Sequence, residues 1–181
     1  ISKMLVSPEP RSKRTVEGDL GVYVNAHHVI DYIGEKELRG EFASFDEIVG
    51  KLSPYPTNDE ASRFSARLGR YCFETSIRRH AGYIRQIYGP TGRIEIAQGK
   101  DLTAIKSIIG TGGLLSRSRY TRQIMENARS LSKLHSKELL PGPDIRIYRD
   151  RNYIFAAIGL ISTVDASLAT DLIDRSLEEL Q

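Results

Sequence analysis

The sequence has little of several features that mark common protein classes. It contains one cysteine, Cys72, which excludes an internal disulfide and favours an intracellular, cytoplasmic setting. No apolar run approaches the roughly 18 residues that span a bilayer. The longest such run covers residues 154–161, and no signal peptide is visible. The sequence therefore predicts a globular protein without a membrane segment.

Charge of one sign is also scarce. The chain has 26 Lys and Arg against 23 Asp and Glu, a net charge of +3 over 181 residues. Nucleic-acid-binding proteins usually carry a concentrated basic face, often with aromatic platforms, whereas the arginines here alternate with glutamates. We therefore expect no nucleic-acid partner. The length suits one domain with a real core, or one and a half small domains.

The chain begins with Ile1 rather than methionine, and residues 6–14 have the composition of a loop. We therefore expect a fragment of a longer protein. For that reason, a lack of catalytic residues in this stretch would say nothing about the longer protein. No internal repeat or low-complexity tract interrupts the sequence, which supports one continuous folding unit.

The clearest functional pattern lies in residues 101–115. Residues 105–109 are a short apolar run with β-branched side chains, which predicts a buried strand, and residues 110–113 (Gly-Thr-Gly-Gly) end it. Ser116 is a candidate N-cap for a helix over about residues 119–131. Strand, glycine turn and helix follow one another where α/β sheets bind nucleotides. A tight turn without a ligand is the alternative interpretation.

The glycine loop departs from the two stricter nucleotide motifs. The dinucleotide fingerprint G-x-G-x-x-G would need a glycine where Leu115 stands. The P-loop motif G-x-x-x-x-G-K-[ST] fails because Gly99 and Lys100 are followed by Asp101, and no glycine stands five residues before Gly99. If a nucleotide binds here, it must therefore be held in another way.

The longest predicted helix covers about residues 59–88, with Asn58 as its N-cap and Gly89 and Pro90 after its end. Several arginines fall on one side of a helical wheel, with glutamates among them. These arginines are Arg63, Arg67, Arg70, Arg78 and Arg85. The face is either a solvated surface braced by Glu–Arg pairs or a surface for an acidic partner, a phosphate or a ribose.

Shorter elements complete the predicted α/β pattern. Short helices are expected after Asn25 and Ser44, and a last helix over residues 166–180 after Asp165 as N-cap. An apolar helix is expected over residues 154–161. Strands are predicted over residues 93–97 and 144–148, the latter because apolar and polar residues alternate.

Three stretches, taken in this order, resemble the C-terminal part of a known family. They are residues 14–21 (Arg-Thr-Val-Glu-Gly-Asp-Leu-Gly), residues 101–113 with the glycine loop, and residues 150–160, which begin Asp-Arg-Asn-Tyr. The family is that of the glutamate mutase (methylaspartate mutase) accessory proteins, called MutL or GlmL. The resemblance spans most of the chain and is weakest across residues 35–90. The first two motifs are specific for this family when they occur together, whereas either one alone is a weak signal.

The resemblance implies a fold and a ligand. The family is similar to the actin, hexokinase and heat-shock chaperone ATPase superfamily, in which two ribonuclease-H-like lobes hold ATP in a cleft. By this likeness, residues 1–181 form the second, C-terminal lobe of α/β class, and residues 35–92 form a helical insertion. The adenosine of ATP or ADP would lie against the glycine loop, formed by Gly110, Thr111, Gly112 and Gly113.

The superfamily's two glycine-rich phosphate loops and their magnesium-binding acidic residues are not found in this sequence. By the resemblance they precede residue 14, so the missing N-terminal lobe is an expected partner, and this fragment alone is not expected to hydrolyse ATP. Glu17 and Asp19 are candidates for the phosphate end, with the holding of a turn as the alternative. Arg63, Arg67 and Arg70 are candidates for contacting the nucleotide or a partner. No catalytic residue or metal ligand is assigned.

The implied function is assistance to an adenosylcobalamin-dependent glutamate mutase. Nucleotide-driven closure of the two lobes would loosen the mutase and let damaged cofactor exchange. The alternative is a non-enzymatic module that binds an acidic partner through the arginine face. A sugar or acid kinase of the same superfamily is a third hypothesis, but it needs an aspartate as base, for which the sequence offers no convincing candidate.

Overall fold

A computed structural model describes residues 5–6, 16–90, 92–134 and 137–180, so the first two residues of the 14–21 motif lie outside the described part. The helices are α1 (Ala26–Ile33), α2 (Glu35–Glu41), α3 (Phe45–Gly50), α4 (Asp59–His80), α5 (Gly113–Arg117), α6 (Thr121–Glu126), α7 (Ala128–Leu134), α8 (Phe155–Ile161) and α9 (Ala166–Ser176). The strands are β1 (Leu5–Val6), β2 (Tyr83–Gly89), β3 (Gly92–Gln98), β4 (Ser107–Gly110), β5 (Arg146–Asp150) and β6 (Leu177–Glu179).

The strands of the described residues form two small sheets. In the first sheet, β3 pairs in parallel with β1 and antiparallel with β2. In the second sheet, β5 pairs in parallel with β4 and antiparallel with β6. Gly110 lies opposite Arg149, so β4 and β5 end at the same edge. The predicted α/β class is confirmed at this level, as a mixed fold with small sheets.

Helix α4 contributes to two apolar clusters through different faces. Phe64 and Leu68 are fully buried in a cluster shared with α1, α2 and α3. Phe73 and Ile77 pack against a second cluster that includes the buried Met125 of α6 and residues of β5. Burial of apolar surface on both faces is the main force that fixes this helix in the fold. Helix α4 therefore connects the helical part of the chain with the second sheet.

Helix α4 begins at the predicted residue and ends earlier than predicted. The side chain of Asn58 accepts a hydrogen bond from the backbone N–H of Ala61 at 2.8 Å, which confirms the predicted N-cap. The prediction that the helix continues to residue 88 is wrong, because the helix ends at His80 and strand β2 follows. Arg85 therefore lies on a strand and does not belong to the arginine face of the helix.

The chain leaves α4 because its backbone finds other hydrogen-bond partners. The N–H of Gly82 donates to the carbonyl of Lys100 at 2.6 Å, and the carbonyl of Gly82 accepts from Leu139 at 2.7 Å. Strand β2 then pairs with β3 over its whole length. The segment 35–92, expected to be a helical insertion, thus contains three helices followed by a strand and the beginning of β3. Its role as an insertion stays a prediction.

Two further helices differ from their predicted extent. The helix expected over residues 119–131 is replaced by two short ones, α6 and α7, and a further short helix, α5, precedes them directly after the glycine loop. Ser116 is wrong as an N-cap, because it lies inside α5 and is buried, and its hydroxyl has no hydrogen-bond partner among the described residues. The final helix ends at Ser176, because the next residues pair with β5 as strand β6. Asp165 is an N-cap as predicted, because its side chain accepts a hydrogen bond from the backbone N–H of Leu168. The side chains of Asn25 and Ser44 do not cap the helices that follow them.

Candidate functional site

The glycine loop, residues 110–113, lies at the edge of the second sheet where β4 and β5 end. Gly110 is buried, and a Cβ atom at this position would lie 2.6 Å from the sulfur of Met125. Gly112 has a φ angle of +102°, a conformation that other residues rarely adopt. Packing and backbone geometry therefore account for two of the three glycines without any ligand.

Gly113 has no such structural requirement. It is exposed at the start of α5, its φ angle is not positive, and a Cβ atom added to it would meet no atom within 4 Å. The position beside Gly112 is equally open. A side chain at Gly113 would therefore fit the protein but would cover the main chain. The loop thus exposes bare backbone where a flat molecule can approach closely.

A buried carboxylate holds the loop in place. Asp150, the last residue of β5, is fully buried and accepts hydrogen bonds from the hydroxyls of Thr111 at 2.9 Å and Ser176 at 2.5 Å. It also accepts from the backbone N–H groups of Ile154 at 3.2 Å and Phe155 at 3.0 Å. One side chain therefore joins the ends of β4, β5 and α9 and the start of α8.

The protonation state of Asp150 follows from these contacts. Burial raises the pKa of the carboxyl, but the hydrogen bonds from Ser176, Phe155, Ile154 and Thr111 outweigh burial, so the pKa lies below its ordinary value. Asp150 is thus an anion at neutral pH, with its oxygens occupied by four donors. It positions the loop and offers no free oxygen to a ligand.

Sequence reasoning placed Asp150 in a motif but gave it no role in the site. Its two hydroxyl donors are 39 and 26 residues away, so spacing along the chain does not reveal them. The available signal is its place directly after the strand pattern of β5, at the same edge as the glycine loop. An acidic residue there is well placed to anchor a neighbouring turn.

A cleft of about 420 Å³ opens beside the loop, and we call it the loop cleft. Thr111, Gly112 and Gly113 line it together with Glu17 from the segment before α1, while α4 contributes Cys72 among other residues. This volume falls within the usual range for small-molecule sites. The structure therefore brings three of the four predicted loop residues and one predicted acidic residue to a single cavity.

Cys72 is the thiol of this cleft. Burial raises its pKa to about 11, so the thiol is protonated at neutral pH. A protonated thiol is a poor nucleophile and a poor metal ligand. The loop cleft therefore offers backbone polar groups, the hydroxyl of Thr111 and the carboxylate of Glu17, a set suited to binding rather than to breaking bonds.

Glu17 and Asp19 are both held by Arg79 near the end of α4. The guanidinium donates to both carboxylate oxygens of Asp19 at 2.8 Å and to Glu17 at 2.8 Å. This contact with Arg79 holds the pKa of Asp19 well below its usual range, and Tyr32 donates a further hydrogen bond at 3.0 Å. The two carboxylates therefore hold the segment before α1 against α4. Glu17, unlike Asp19, also lines the cleft.

Arg63, Arg67 and Arg70 lie away from the loop cleft. They share a shallow groove of about 240 Å³ with Tyr120 and other residues. Each arginine has an acidic partner: Arg63 pairs with Asp59 at 3.5 Å, Arg67 with Glu37 at 2.6 Å and Glu41 at 3.1 Å, and Arg70 with Glu74 at 2.9 Å. This pairing favours a solvated surface over a docking face for an acidic partner. The arginine of α4 that reaches the segment lining the loop cleft is Arg79.

The described residues contain neither a cluster of metal ligands nor a helix that could span a membrane. Across residues 5–6, 16–90, 92–134 and 137–180, no three His, Cys, Asp or Glu side chains are grouped so that they could hold a metal ion. Within the same residues, no helix has the length and apolar character needed to cross a membrane.

Comparison with known proteins gives a consistent result. A family model described as MutL protein matches residues 1–177. Protein MutL of Clostridium tetanomorphum is 32% identical over 177 residues, which cover 93% of this chain and 36% of that protein. The chain thus spans little more than a third of the length of this curated relative. No solved structure matches the chain.

Proposed function

The chain belongs to the MutL protein family, and from this premise we propose that it is the nucleotide-binding lobe of a chaperone-like ATPase. The whole protein assists an adenosylcobalamin-dependent glutamate mutase in the cytoplasm. Its ligand is ATP or ADP with magnesium, and the lobe is of the ribonuclease-H-like, actin-related type. The rest of the site comes from the part of the longer protein that the chain does not cover.

The observation that carries the nucleotide assignment is the bare main chain at Gly113. Among the residues that the structure describes, no packing contact and no backbone angle requires a glycine there, yet Gly113 lines the loop cleft. The loop also follows β4, which runs parallel to β5. Open α/β sheets bind ligands in the crevice beyond the carboxyl ends of their parallel strands. The adenosine therefore lies against Gly112 and Gly113.

The position of Glu17 indicates how the bound nucleotide is oriented in the loop cleft. Glu17 lines the loop cleft together with the glycine loop and belongs to the segment that Arg79 holds against α4. A carboxylate next to phosphates needs a cation between them, and hard oxygen ligands of this kind suit magnesium. The phosphates therefore point toward residues 17–19, with the magnesium ion held mainly by the nucleotide and by the remainder of the longer protein.

Nucleotide binding can change the whole protein only through a difference in affinity between two states. Closure around ATP provides that difference when both lobes contact the nucleotide. In this proposal, the closed state binds the mutase differently from the open state, and damaged cofactor leaves the mutase during the change. The Asp150 network keeps the glycine loop fixed, so closure moves the lobe as a unit.

The test is calorimetric titration of ADP and ATP into the whole protein, with and without magnesium. Gly113→Val places a side chain beside the loop, at a position where an added Cβ atom meets no atom of the described residues within 4 Å. We expect the wild-type protein to bind nucleotide and Gly113→Val to bind it at least about tenfold more weakly, a loss of roughly 1.4 kcal/mol.

Gly159→Val is the matched control. Gly159 lies exposed in α8, and a Cβ atom there also meets nothing within 4 Å. This variant should bind nucleotide like the wild type. Equal affinity in Gly113→Val and the wild type would contradict the adenosine position, and a folded whole protein that binds no nucleotide would contradict the ATPase assignment.

The mutase role has its own test. A glutamate mutase inactivated by damaged adenosylcobalamin should regain activity when the whole protein, ATP and intact cofactor are added together. Gly113→Val should fail to restore activity, and Gly159→Val should succeed. Recovery without ATP, or no recovery with an ATP-binding wild-type protein, would argue against this role.

A further inference from the structure

A second cleft, of about 510 Å³, adjoins the loop cleft at Gly113 and Leu114, which line both cavities. Its other walls come from residues 54–59, the first turns of α4, and α5 with the residues after it. The exposed main chain of Gly113 is therefore open to both cavities. We call this cavity the aromatic cleft, after Tyr55. Its volume also lies within the usual range for small-molecule sites.

Tyr55 provides a flat apolar surface in this cleft. The residue is 62% exposed and lines the cleft, so its ring is accessible to a ligand. The guanidinium carbon of Arg117 lies 5.2 Å from the centre of the Tyr55 ring. Aromatic rings and arginine planes both stack on planar ligands, and such stacking is tolerant of the identity of the base.

Arg117 is also available as a charge. Within the described residues, it has no carboxylate at ion-pair distance, whereas its neighbour Arg119 pairs with Asp59. Asp59 is further engaged by the hydroxyl of Tyr120, which donates to it at 2.7 Å. Arg117 therefore presents hydrogen-bond donors to the cleft without a competing acid. Ring nitrogens and carbonyl oxygens of a base are suitable acceptors for these donors.

These observations lead to one assignment. We propose that the aromatic cleft binds the base of the nucleotide, with Tyr55 stacking on the ring and Arg117 contacting its edge. This proposal rests on the proposed function and adds the position of the base to it. The cleft suits a base better than phosphates, because its walls include Pro54, Pro56 and Leu114 and it has one uncompensated cation.

In this proposal, the two clefts bind different parts of the same nucleotide. The ribose lies at Gly113, where the cavities meet, the base extends toward Tyr55, and the phosphates extend toward Glu17. This arrangement gives Gly113 a role that no contact with the described residues gives it. A side chain there would stand between the two halves of the ligand.

Calorimetric titration of ADP with magnesium into the whole protein tests the proposal through a matched pair at one position. Tyr55→Ala removes the ring, and we expect its affinity for ADP to fall about tenfold or more. Tyr55→Phe keeps the ring and should bind within about twofold of the wild type. Arg117→Met should bind less tightly than the wild type, since it removes the donors and the charge.

Stability separates a binding role from a structural one. Because Tyr55 is largely exposed, Tyr55→Ala should unfold at the same urea concentration as the wild type within experimental error. Unchanged ADP affinity in Tyr55→Ala would overturn the base position, as would an equal loss in Tyr55→Phe. If Gly113→Val still blocked ADP in that case, the nucleotide assignment would stand without this site. A wild-type protein that binds no ADP would overturn both proposals.

Discussion

Two carboxylate networks border the candidate site, and they differ in their contact with water. Asp150 is fully buried and takes four hydrogen bonds from neutral donors. Asp19 and Glu17 are bound by the charged Arg79, yet all three side chains stay about a third exposed. Buried hydrogen bonds are costly to break, whereas exposed ion pairs contribute little and are screened by salt. One network therefore fixes the glycine loop, and the other can release the segment opposite it.

The largest expected effect is on the buried network. Asp150→Ala leaves four donors without an acceptor, two of them backbone N–H groups, and should lower the free energy of unfolding by about 3 kcal/mol or more. Urea denaturation at neutral pH measures this change. Asp144→Ala, at an exposed position just before β5, is the control and should stay within about 0.5 kcal/mol of the wild type. Similar losses in both variants would remove the contrast between the networks.

The dependence of stability on pH gives the next effect. The pKa values of Asp150 and Asp19 are lowered on folding, so both carboxylates stabilise the fold above the ordinary aspartate pKa of about 3.9. That stabilisation is lost as the pH falls below this value toward the folded-state pKa. Asp150→Asn removes one of the two groups, so its stability should fall less steeply than that of the wild type.

Urea midpoints measured for both proteins at several pH values between about 6 and 3 provide the comparison. Parallel curves for the wild type and Asp150→Asn would show that Asp150 does not change its proton affinity on folding. The loss of stability at low pH would then be due to other carboxylates, such as Asp19.

The smallest expected effect is on the exposed network. Arg79→Ala should change the melting temperature by only a few degrees but should speed hydrogen exchange at the Leu20 amide, which bonds to Glu17 at 3.2 Å. High salt should have a similar but weaker effect on the wild type. Arg63→Ala, which removes an exposed pair elsewhere on α4, is the control. Unchanged exchange at Leu20 would mean that Arg79 does not hold this segment.

Local patterns in the sequence predicted the beginnings of elements well. Asn58 and Asp165 both cap the helices expected after them, since an N-cap depends on residues within one turn. A strand forms in the apolar run before the glycine loop as predicted, although it covers Ser107–Gly110 rather than residues 105–109. The prediction that this strand is buried is wrong, because Ile109 is exposed. The Gly-Thr-Gly-Gly motif also led to the cleft, because a loop of this composition must expose main chain.

The ends of elements were predicted poorly because distant partners decide them. Strand β2 forms through pairing with β3, and Gly82 bonds to residues of two later segments, so no pattern inside residues 59–88 reveals where α4 ends. Asp150 and Arg79 were missed for the same reason. The partners of Arg79 are 60 and 62 residues away. The pattern of charge along the helix identified arginines that pair within α4, such as Arg63 and Arg70, or with α2, as Arg67 does. It overlooked Arg79, which contacts the segment that lines the loop cleft.

Helix α4 connects the aromatic cleft, the loop cleft and the ion pairs of Arg79. Its first turns line the aromatic cleft, its middle lines the loop cleft, and its last turn carries Arg79. The helix has 22 residues and is thus about 33 Å long. Apolar packing on two faces restricts local bending of this helix. If the base binds in the aromatic cleft as proposed, we expect a displacement of the first turn to reach the ion pairs of Arg79 at the other end of the helix.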